Sequence, residues 1–195
     1  MDFVNANILI MNKLQRVSNM YDNEIRVPLA EDLNVPIYTY VHPYAEELNK
    51  RVMKEVEGMT FPMTNKTNVK AQMTDWRTNS PSIETITTWI HSEVYSFFQH
   101  SHPRDFKIDM KESWIARYNK GDRAIKHNHA AAWLSYVYFV NCPKGSSPLI
   151  FGGGKKVNAE EGKVVVFPAF IDHEVPENKC DNRVVLAGNM LSSYS

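Results

Sequence analysis

Cysteine is scarce in this sequence. Cys142 and Cys180 are the only two among 195 residues, and neither belongs to a C-x-x-C pair. Two isolated cysteines do not build a disulfide framework. We therefore expect a protein of a reducing compartment, the cytoplasm, with a single disulfide between the two left open as an alternative.

The sequence also lacks an excess of charge of either sign and any long apolar run. Lys plus Arg equals Asp plus Glu at 22 each. Because no overall field favours nucleic acid or an anionic membrane, we expect no general nucleic-acid binding, and an acidic ligand has to be held by local groups. The first residues carry no basic segment, and the longest strictly apolar run near them is 8–11. These features predict neither a signal peptide nor a membrane span.

Length and composition predict a single domain over residues 1–195. With 43% apolar residues, the chain can build one substantial core and is short for two. Residues 1–105 carry the signals of an N-terminal strand and supporting helices. Residues 106–195 carry short β-rich runs separated by turns, which is typical of a β core.

Two helices are predicted in the first half. Residues 36–41 favour a strand, and apolar side chains at helical spacing then predict a helix from Pro43 that ends at Gly58. Ser80-Pro81 supplies an N-cap and a first-turn proline for a second helix, which we expect to run to about Gln99. The polar segment 60–79 between them predicts a loop that carries one large aromatic residue, Trp76.

The second half predicts a β sandwich or barrel with the helices packed outside. The clearest strands are residues 113–118, 134–140, 163–167 and 183–187. Turn residues separate them, including three glycines at 152–154. Those glycines lack the spacing of a phosphate-binding loop and favour a hairpin turn.

The most informative pattern is His127-Asn128-His129, followed by His173 and, ten residues later, Arg183. Histidines one residue apart on an extended segment point to the same side, and a third from a later strand can complete a metal site. Imidazole suits iron, copper, nickel and zinc better than calcium or magnesium. Spacing alone is weak, since His100 and His102 repeat it without a following strand. A histidine-containing turn on a β sandwich therefore stays open as the alternative.

Several segments of the second half together resemble a known family. They are 114–122 (Trp-Ile-Ala-Arg-Tyr-Asn-Lys-Gly-Asp), 127–129, 135–139 (Ser-Tyr-Val-Tyr-Phe), 162–168 (Gly-Lys-Val-Val-Val-Phe-Pro), His173 and Arg183. In this order they resemble the 2-oxoglutarate/Fe(II)-dependent oxygenases, specifically the small oxygenases with an H-x-H...H metal motif. The resemblance covers roughly residues 110–190 and, more loosely, the first half. It implies a mainly β fold with flanking helices, a double-stranded β-helix or jelly roll, with iron at its mouth.

The resemblance also implies roles for individual residues. His127, His129 and His173 would be the Fe(II) ligands, with an open face for a bidentate 2-oxoacid and dioxygen. Arg183 would pair the far carboxylate of 2-oxoglutarate through a bidentate fork, where the alternative is an exposed arginine in a surface salt bridge. Tyr118, nine residues before His127, would supply a hydroxyl to the co-substrate, or else pack as a core aromatic.

Three further side chains are candidates for the pocket. Ser135 shares a strand face with Val137 and Phe139, and it becomes a polar contact for the co-substrate if that face lines the pocket. Phe139 stands where related hydroxylases can carry a tyrosine that helps to hold the carboxylate. Trp76 and Trp133 would contact substrate at the barrel mouth, or else pack.

His129 is the departure from the family pattern, because most of the superfamily carries an aspartate there. A neutral imidazole in its place leaves one more positive charge at the metal. Asp172 and Glu174 flank His173, but strand alternation points both of them away from the site.

The function that these residues favour is an Fe(II)- and 2-oxoglutarate-dependent oxygenase. It would couple decarboxylation of 2-oxoglutarate, giving succinate, to oxidation of a second, unidentified substrate. One alternative is a cupin-like three-histidine dioxygenase without a 2-oxoacid, and another is a non-catalytic metal-binding jelly roll. Both a monomer and a homo-oligomer are compatible with the sequence.

Overall fold

The computed structural model describes residues 24–30, 33–99 and 106–194. Residues 1–23 of the predicted domain, and His100 and His102, lie outside these ranges. Within them the chain forms twelve strands: β1 Glu24–Ala30, β2 Leu33–Val41, β3 Val69–Lys70, β4 Gln72–Met73, β5 Phe106–Tyr118, β6 Arg123–His127, β7 Leu134–Asn141, β8 Leu149–Phe151, β9 Lys156–Val157, β10 Lys163–Pro168, β11 His173–Val175 and β12 Arg183–Tyr194.

The strands form two antiparallel sheets. In the described ranges, the large sheet has seven strands in the order β1-β2-β10-β7-β12-β5-β4, and the small sheet has five in the order β3-β6-β11-β8-β9. The chain crosses between the sheets repeatedly, since β6, β8 and β11 of the small sheet alternate along the chain with β5, β7, β10 and β12 of the large one. This is the jelly roll with flanking helices that the sequence predicts.

Both helices begin and end close to their predicted positions. Helix α1 covers Ala45–Glu57 and is followed by Gly58. Helix α2 covers Pro81–Phe98, and the Ser80 side chain caps it by accepting a hydrogen bond from the Ile83 backbone amide. The hydroxyl of Ser80 and that of Ser82 both donate to the carboxylate of Glu55, which ties the start of α2 to the last turn of α1.

The large sheet is buried on both faces. Its inner face packs against the small sheet, and its outer face packs against α1 and α2. In β7 the alternation is direct: Val137 and Phe139 belong to the inner cluster, while Tyr136 and Tyr138 belong to the outer one. A strand buried on both faces carries a nearly continuous apolar run, which is why β7 is so clear in the sequence.

The predicted loop at residues 60–79 is partly wrong. It contains β3 and β4, which pair with β6 and β5 and so become edge strands of the two sheets. Each has two residues, and two residues show no periodicity from which a strand can be predicted. The glycine turn at 152–154 connects the paired strands β8 and β9, as predicted.

Among the described residues, neither helix is long and apolar enough to cross a membrane.

Gly188 is closely surrounded within the large sheet. It lies in β12 between Ser113 of β5 and Tyr136 of β7, and the Ser113 and Tyr136 hydroxyls hydrogen-bond across it at 2.7 Å. A Cβ there would collide with the Glu112 carbonyl and the Tyr136 hydroxyl. The missing side chain is therefore what lets the two hydroxyls meet.

We predict that Gly188→Ala lowers the free energy of unfolding by about 1–3 kcal/mol, because it overpacks a closed position. Gly58→Ala is the control, since its Cβ would come no nearer than 3.6 Å to the Glu55 carbonyl. Urea unfolding of both variants measures the effect. Equal stability of the two would contradict this account of the sheet.

Candidate metal centre

Strand pairing brings the three predicted histidines together. His127 ends β6, His173 begins β11, and the two are direct cross-strand partners. His129 lies two residues beyond β6, where its backbone amide donates a 2.7 Å hydrogen bond to the Ala169 carbonyl. The three rings have centroids 4.4 to 5.3 Å apart. One nitrogen from each ring lies within 4.8 Å of the others, so the cluster can hold a metal ion.

Backbone carbonyls orient two of the rings. His127 Nδ1 lies 2.6 Å from the Ile125 carbonyl oxygen, and His173 Nδ1 lies 3.1 Å from the Ile171 carbonyl oxygen. A carbonyl can only accept, so Nδ1 carries the proton in both bonds, and Nε2 keeps its lone pair. Metal-binding histidines are commonly fixed in this way by a bond on the other nitrogen.

Burial keeps the cluster neutral. It lowers the pKa of His129 to about 4 and that of His173 to about 3, and the neighbouring His127 adds to both shifts. The pKa of His127 is also lowered, mainly by burial. Imidazole binds a metal in its neutral form, so all three rings are ready to coordinate at neutral pH.

The carboxylates beside His173 are not part of the cluster. Asp172 accepts a 2.8 Å hydrogen bond from the Asn128 side-chain amide and lies 3.6 Å from the Lys126 ammonium. The group of potential ligands found among the described residues contains the three histidines and neither Asp172 nor Glu174. This arrangement agrees with the strand alternation that points both carboxylates away.

A cavity between the two sheets opens onto the three histidines. The small sheet contributes the histidines, and the large sheet contributes Tyr118, Ser135 and Arg183. Most of the remaining wall is apolar, including Trp114, Val137, Phe167, Val185 and Ala187. Three of the predicted pocket residues therefore share one space with the candidate metal ligands: Tyr118, Ser135 and Arg183.

Arg183 is fully buried in this cavity, so the alternative of an exposed surface salt bridge does not hold. Its Nε donates a 3.1 Å hydrogen bond to the Ser147 carbonyl. Its Nη1 and Nη2 have no hydrogen-bond partner among the described residues. The guanidinium lies over the rings of Tyr118 at 4.7 Å and Phe139 at 5.5 Å, measured to the ring centroids. Burial lowers the pKa of Arg183, and the Tyr118 hydroxyl opposes that shift.

A buried guanidinium with two unpaired NH₂ groups has the chemistry to bind an anion. Leaving a buried cation unpaired costs several kcal/mol. The aromatic rings offset part of that cost, but they do not satisfy the N–H groups. An anionic ligand in the cavity would satisfy these N–H groups.

The two candidate tryptophans are placed differently. Trp76 is 36% exposed and packs edge-on against Trp114, with 5.0 Å between the ring centroids. Trp114 lines the cavity, whereas Trp76 packs on Trp114 and is not itself part of the cavity wall. Trp133 packs against Phe98 and Phe106 on the helix side of the large sheet, and the structure does not bring it to the cavity. Trp133 precedes β7 in an irregular segment, where strand alternation does not assign a face.

The sequence prediction missed Glu112, Trp114 and Asn189. Trp114 lines the cavity, and Asn189 bridges Ser135 to Glu112 by side-chain hydrogen bonds. Alternation along β5 from Tyr118 back through Ala116 would have placed Trp114 and Glu112 on the cavity face. Asn189 depends on the pairing of β12 with β5 and β7, which the sequence does not reveal.

Comparison with solved structures identifies the fold. A viral collagen prolyl hydroxylase from Paramecium Bursaria Chlorella virus-1, in its 2OG complex, is similar with a TM-score of 0.62 and 11% identity, over 79% of this chain and 94% of that one. A Pseudomonas putida prolyl-4-hydroxylase has a TM-score of 0.61 and 18% identity, over 80% of this chain and 91% of that one. A 2OG-Fe(II) oxygenase family oxidoreductase from Burkholderia pseudomallei has a TM-score of 0.57 and 19% identity, over 78% of this chain and 84% of that one. The chain has the fold of the 2OG-Fe(II) oxygenases. The family resemblance is thus confirmed at the level of the fold. The chain matches no protein-family model and no curated protein sequence.

The lowered histidine pKa values predict how the metal-free protein responds to pH. The imidazoles take up protons near pH 6.5 in the unfolded chain, whereas His129 does so near pH 4 and His173 near pH 3 in the folded one. Below pH 6.5 the unfolded state therefore binds more protons, and stability falls as the pH is lowered. We predict a steady loss of the free energy of unfolding from pH 7 to pH 5.

Urea unfolding of the metal-free protein across this range tests the prediction. His173→Gln removes one of the displaced groups and should flatten the profile. His91→Gln is the control, because His91 lies on α2 and is not one of the clustered histidines. Identical slopes for wild type and His173→Gln would mean that the buried imidazole is not held neutral.

Proposed function

We propose that this protein is an Fe(II)- and 2-oxoglutarate-dependent oxygenase. The single observation that carries the proposal is the buried Arg183 guanidinium, with two unpaired NH₂ groups, in the same cavity as three neutral histidines. The fold is compatible, since solved structures with it include one in a 2OG complex.

The donor set suits ferrous iron. Three imidazoles on one side of a metal ion leave its opposite face open, and imidazole is a good ligand for iron. His127, His129 and His173 would hold the ion, and when bound it would supply the activation of dioxygen that amino-acid side chains cannot. The carbonyl bonds of Ile125 and Ile171 would keep two of the rings in place.

The large sheet would bind the co-substrate. Arg183 would pair the far carboxylate of 2-oxoglutarate through its two free amino groups, as a bidentate fork. The Tyr118 ring already lies against the guanidinium, and burial raises the pKa of its hydroxyl, so that hydroxyl would stay protonated and able to donate. Ser135 lines the same cavity and would offer a further polar contact.

The cavity wall would protect the reaction. Val137, Phe167, Val185 and Ala187 surround the candidate site with apolar surface. Apolar walls exclude water, and they strengthen the charge interactions inside. The reaction that we infer is the oxidation of a second, organic substrate, coupled to decarboxylation of 2-oxoglutarate to succinate.

The setting that we propose is a reducing compartment such as the cytoplasm. Both Cys142 and Cys180 are free thiols in the structure. Ferrous iron and free thiols both persist under reducing conditions.

We predict that the three histidines bind about one Fe(II) per chain. His127→Ala and His173→Ala should abolish high-affinity binding. His129→Ala should weaken it strongly, whereas His129→Asp should restore a two-histidine, one-carboxylate site to within about 10- to 100-fold of wild type. His91→Ala, outside the cluster, is the control. Anaerobic calorimetry with Fe(II) measures each affinity, and wild-type binding by His129→Ala would exclude it as a ligand.

We predict that Arg183 determines the affinity for 2-oxoglutarate and not that for iron. Arg183→Ala should weaken 2-oxoglutarate binding by about 2–5 kcal/mol, because it breaks a buried charge pair. Arg183→Lys keeps the charge but loses the fork, so it should recover part of the affinity.

A matched control is Arg117→Ala, which removes another arginine of the large sheet whose guanidinium lies over Phe61, away from the cavity. It should leave the 2-oxoglutarate affinity unchanged. Unchanged affinity in Arg183→Ala, with the iron site intact, would favour a three-histidine dioxygenase that uses no 2-oxoacid.

A further inference from the structure

A metal held by His127, His129 and His173 keeps its full double positive charge, because all three rings are neutral. The common iron site with two histidines and one carboxylate cancels one of those charges at the metal itself. Burying an uncompensated charge is costly. A nearby anion that does not touch the metal would offset this cost, and the following inference about such an anion rests on the proposed function.

Glu112 belongs to a row of polar side chains that crosses the inner face of the large sheet. Glu112 of β5, Asn189 of β12 and Ser135 of β7 are direct cross-strand neighbours. The Asn189 amide nitrogen donates to Glu112 Oε2 at 2.8 Å, and the Ser135 hydroxyl donates to Asn189 Oδ1 at 2.8 Å. Ser135 lines the cavity of the three histidines.

The order of donors and acceptors fixes the orientation of this row. A carboxylate can only accept, so Asn189 has to turn its NH₂ group toward Glu112 and its oxygen toward Ser135. Asn189 and Ser135 are both buried, which leaves their amide and hydroxyl no competing water. The row therefore holds the Glu112 carboxylate in one place beside the cavity.

Glu112 also lies on the strand face that meets His129. Trp114, two residues along the same face of β5, lies 6.0 Å from the His129 ring between centroids. Within the described part of the chain, no Lys, Arg or His lies within ion-pair distance of Glu112, whereas Asp172 is paired with Lys126.

We propose that Glu112, positioned by Asn189 and Ser135, is the anion that balances the charge of the three-histidine metal site. His129 faces Trp114 on the same side of the cavity, at the position where a carboxylate ligand would otherwise supply the negative charge. Glu112 thus provides the charge from outside the coordination sphere and leaves the metal bound by imidazole alone.

The test is the affinity for Co(II), an absorbing substitute for Fe(II), measured anaerobically by optical titration of the whole chain. Glu112→Gln keeps an oxygen that accepts from Asn189 and removes only the charge, so it should weaken Co(II) binding by about 10-fold. Glu112→Asp, which keeps the charge, should recover part of this loss. Asp172→Asn is the comparison, because the charge of Asp172 also reaches His127 and His173. It should cost less, because the Asp172 side chain is partly exposed to solvent and lies beside Lys126.

A second arm separates charge from structure. In the His129→Asp background the metal and its ligands carry one positive charge instead of two, which halves the attraction to Glu112. Glu112→Gln should then cost at most about 3-fold, the square root of the first effect. A loss of equal size in both backgrounds would identify a structural role and overturn the proposal.

Two further outcomes distinguish this inference from the proposed function. If wild type binds Co(II) and Glu112→Gln binds it equally well, Glu112 does not balance the metal and the inference alone fails. If wild type binds neither Co(II) nor Fe(II), the proposed function fails and the inference fails with it. If Glu112→Gln does not fold, Glu112→Asp is compared in the wild-type and His129→Asp backgrounds instead. A smaller loss of Co(II) affinity in the His129→Asp background supports the proposal. An equal loss in both backgrounds overturns it.

Discussion

The central constraint on this structure is that it holds one buried guanidinium and three imidazoles between two β-sheets. Arg183 is fully buried with only Nε hydrogen-bonded to protein among the described residues. The same cavity holds three histidines that burial keeps neutral. A fold selected for stability alone would not keep an unpaired guanidinium in its core, because hydrophobic residues of similar volume would stabilise it more. The arrangement is explained if ligands complete it: a metal at the imidazoles and an anion at Arg183.

The candidate metal ligands line the small-sheet side of the cavity, and the buried guanidinium lines the large-sheet side. The small sheet carries His127 and His173 on neighbouring strands, and the turn after β6 adds His129. The large sheet carries Tyr118 and Arg183 as direct cross-strand partners. Helices α1 and α2 cover the outer face of the large sheet, so its inner face is free to form the cavity wall. Register, more than any single contact, therefore sets the distance between the candidate metal ligands and the guanidinium.

Much of the fold was predictable because its signals are local. Helix α2 has its cap and proline at Ser80-Pro81, and β7 has an uninterrupted apolar run. The family resemblance predicted the jelly roll, and the order of His127, His129, His173 and Arg183 predicted the site. The contacts that could not be predicted depend on pairing between distant strands, as in the hydrogen-bonded row that joins Glu112 to Ser135. Trp133 packs among apolar residues, which is the alternative left open by the sequence, because the irregular backbone before β7 has no period that assigns it to a face.

We propose that a single cavity binds Fe(II) at the histidines and a 2-oxoacid at Arg183. The most direct measurement is an anaerobic titration of the Fe(II)-loaded protein with 2-oxoglutarate, followed by optical absorption. A 2-oxoacid that chelates the iron gives a metal-to-ligand band in the visible region. We expect that band to appear only when Fe(II) and 2-oxoglutarate are both present, and to saturate at one equivalent per chain. An iron-loaded protein whose spectrum does not change with 2-oxoglutarate would contradict the claim.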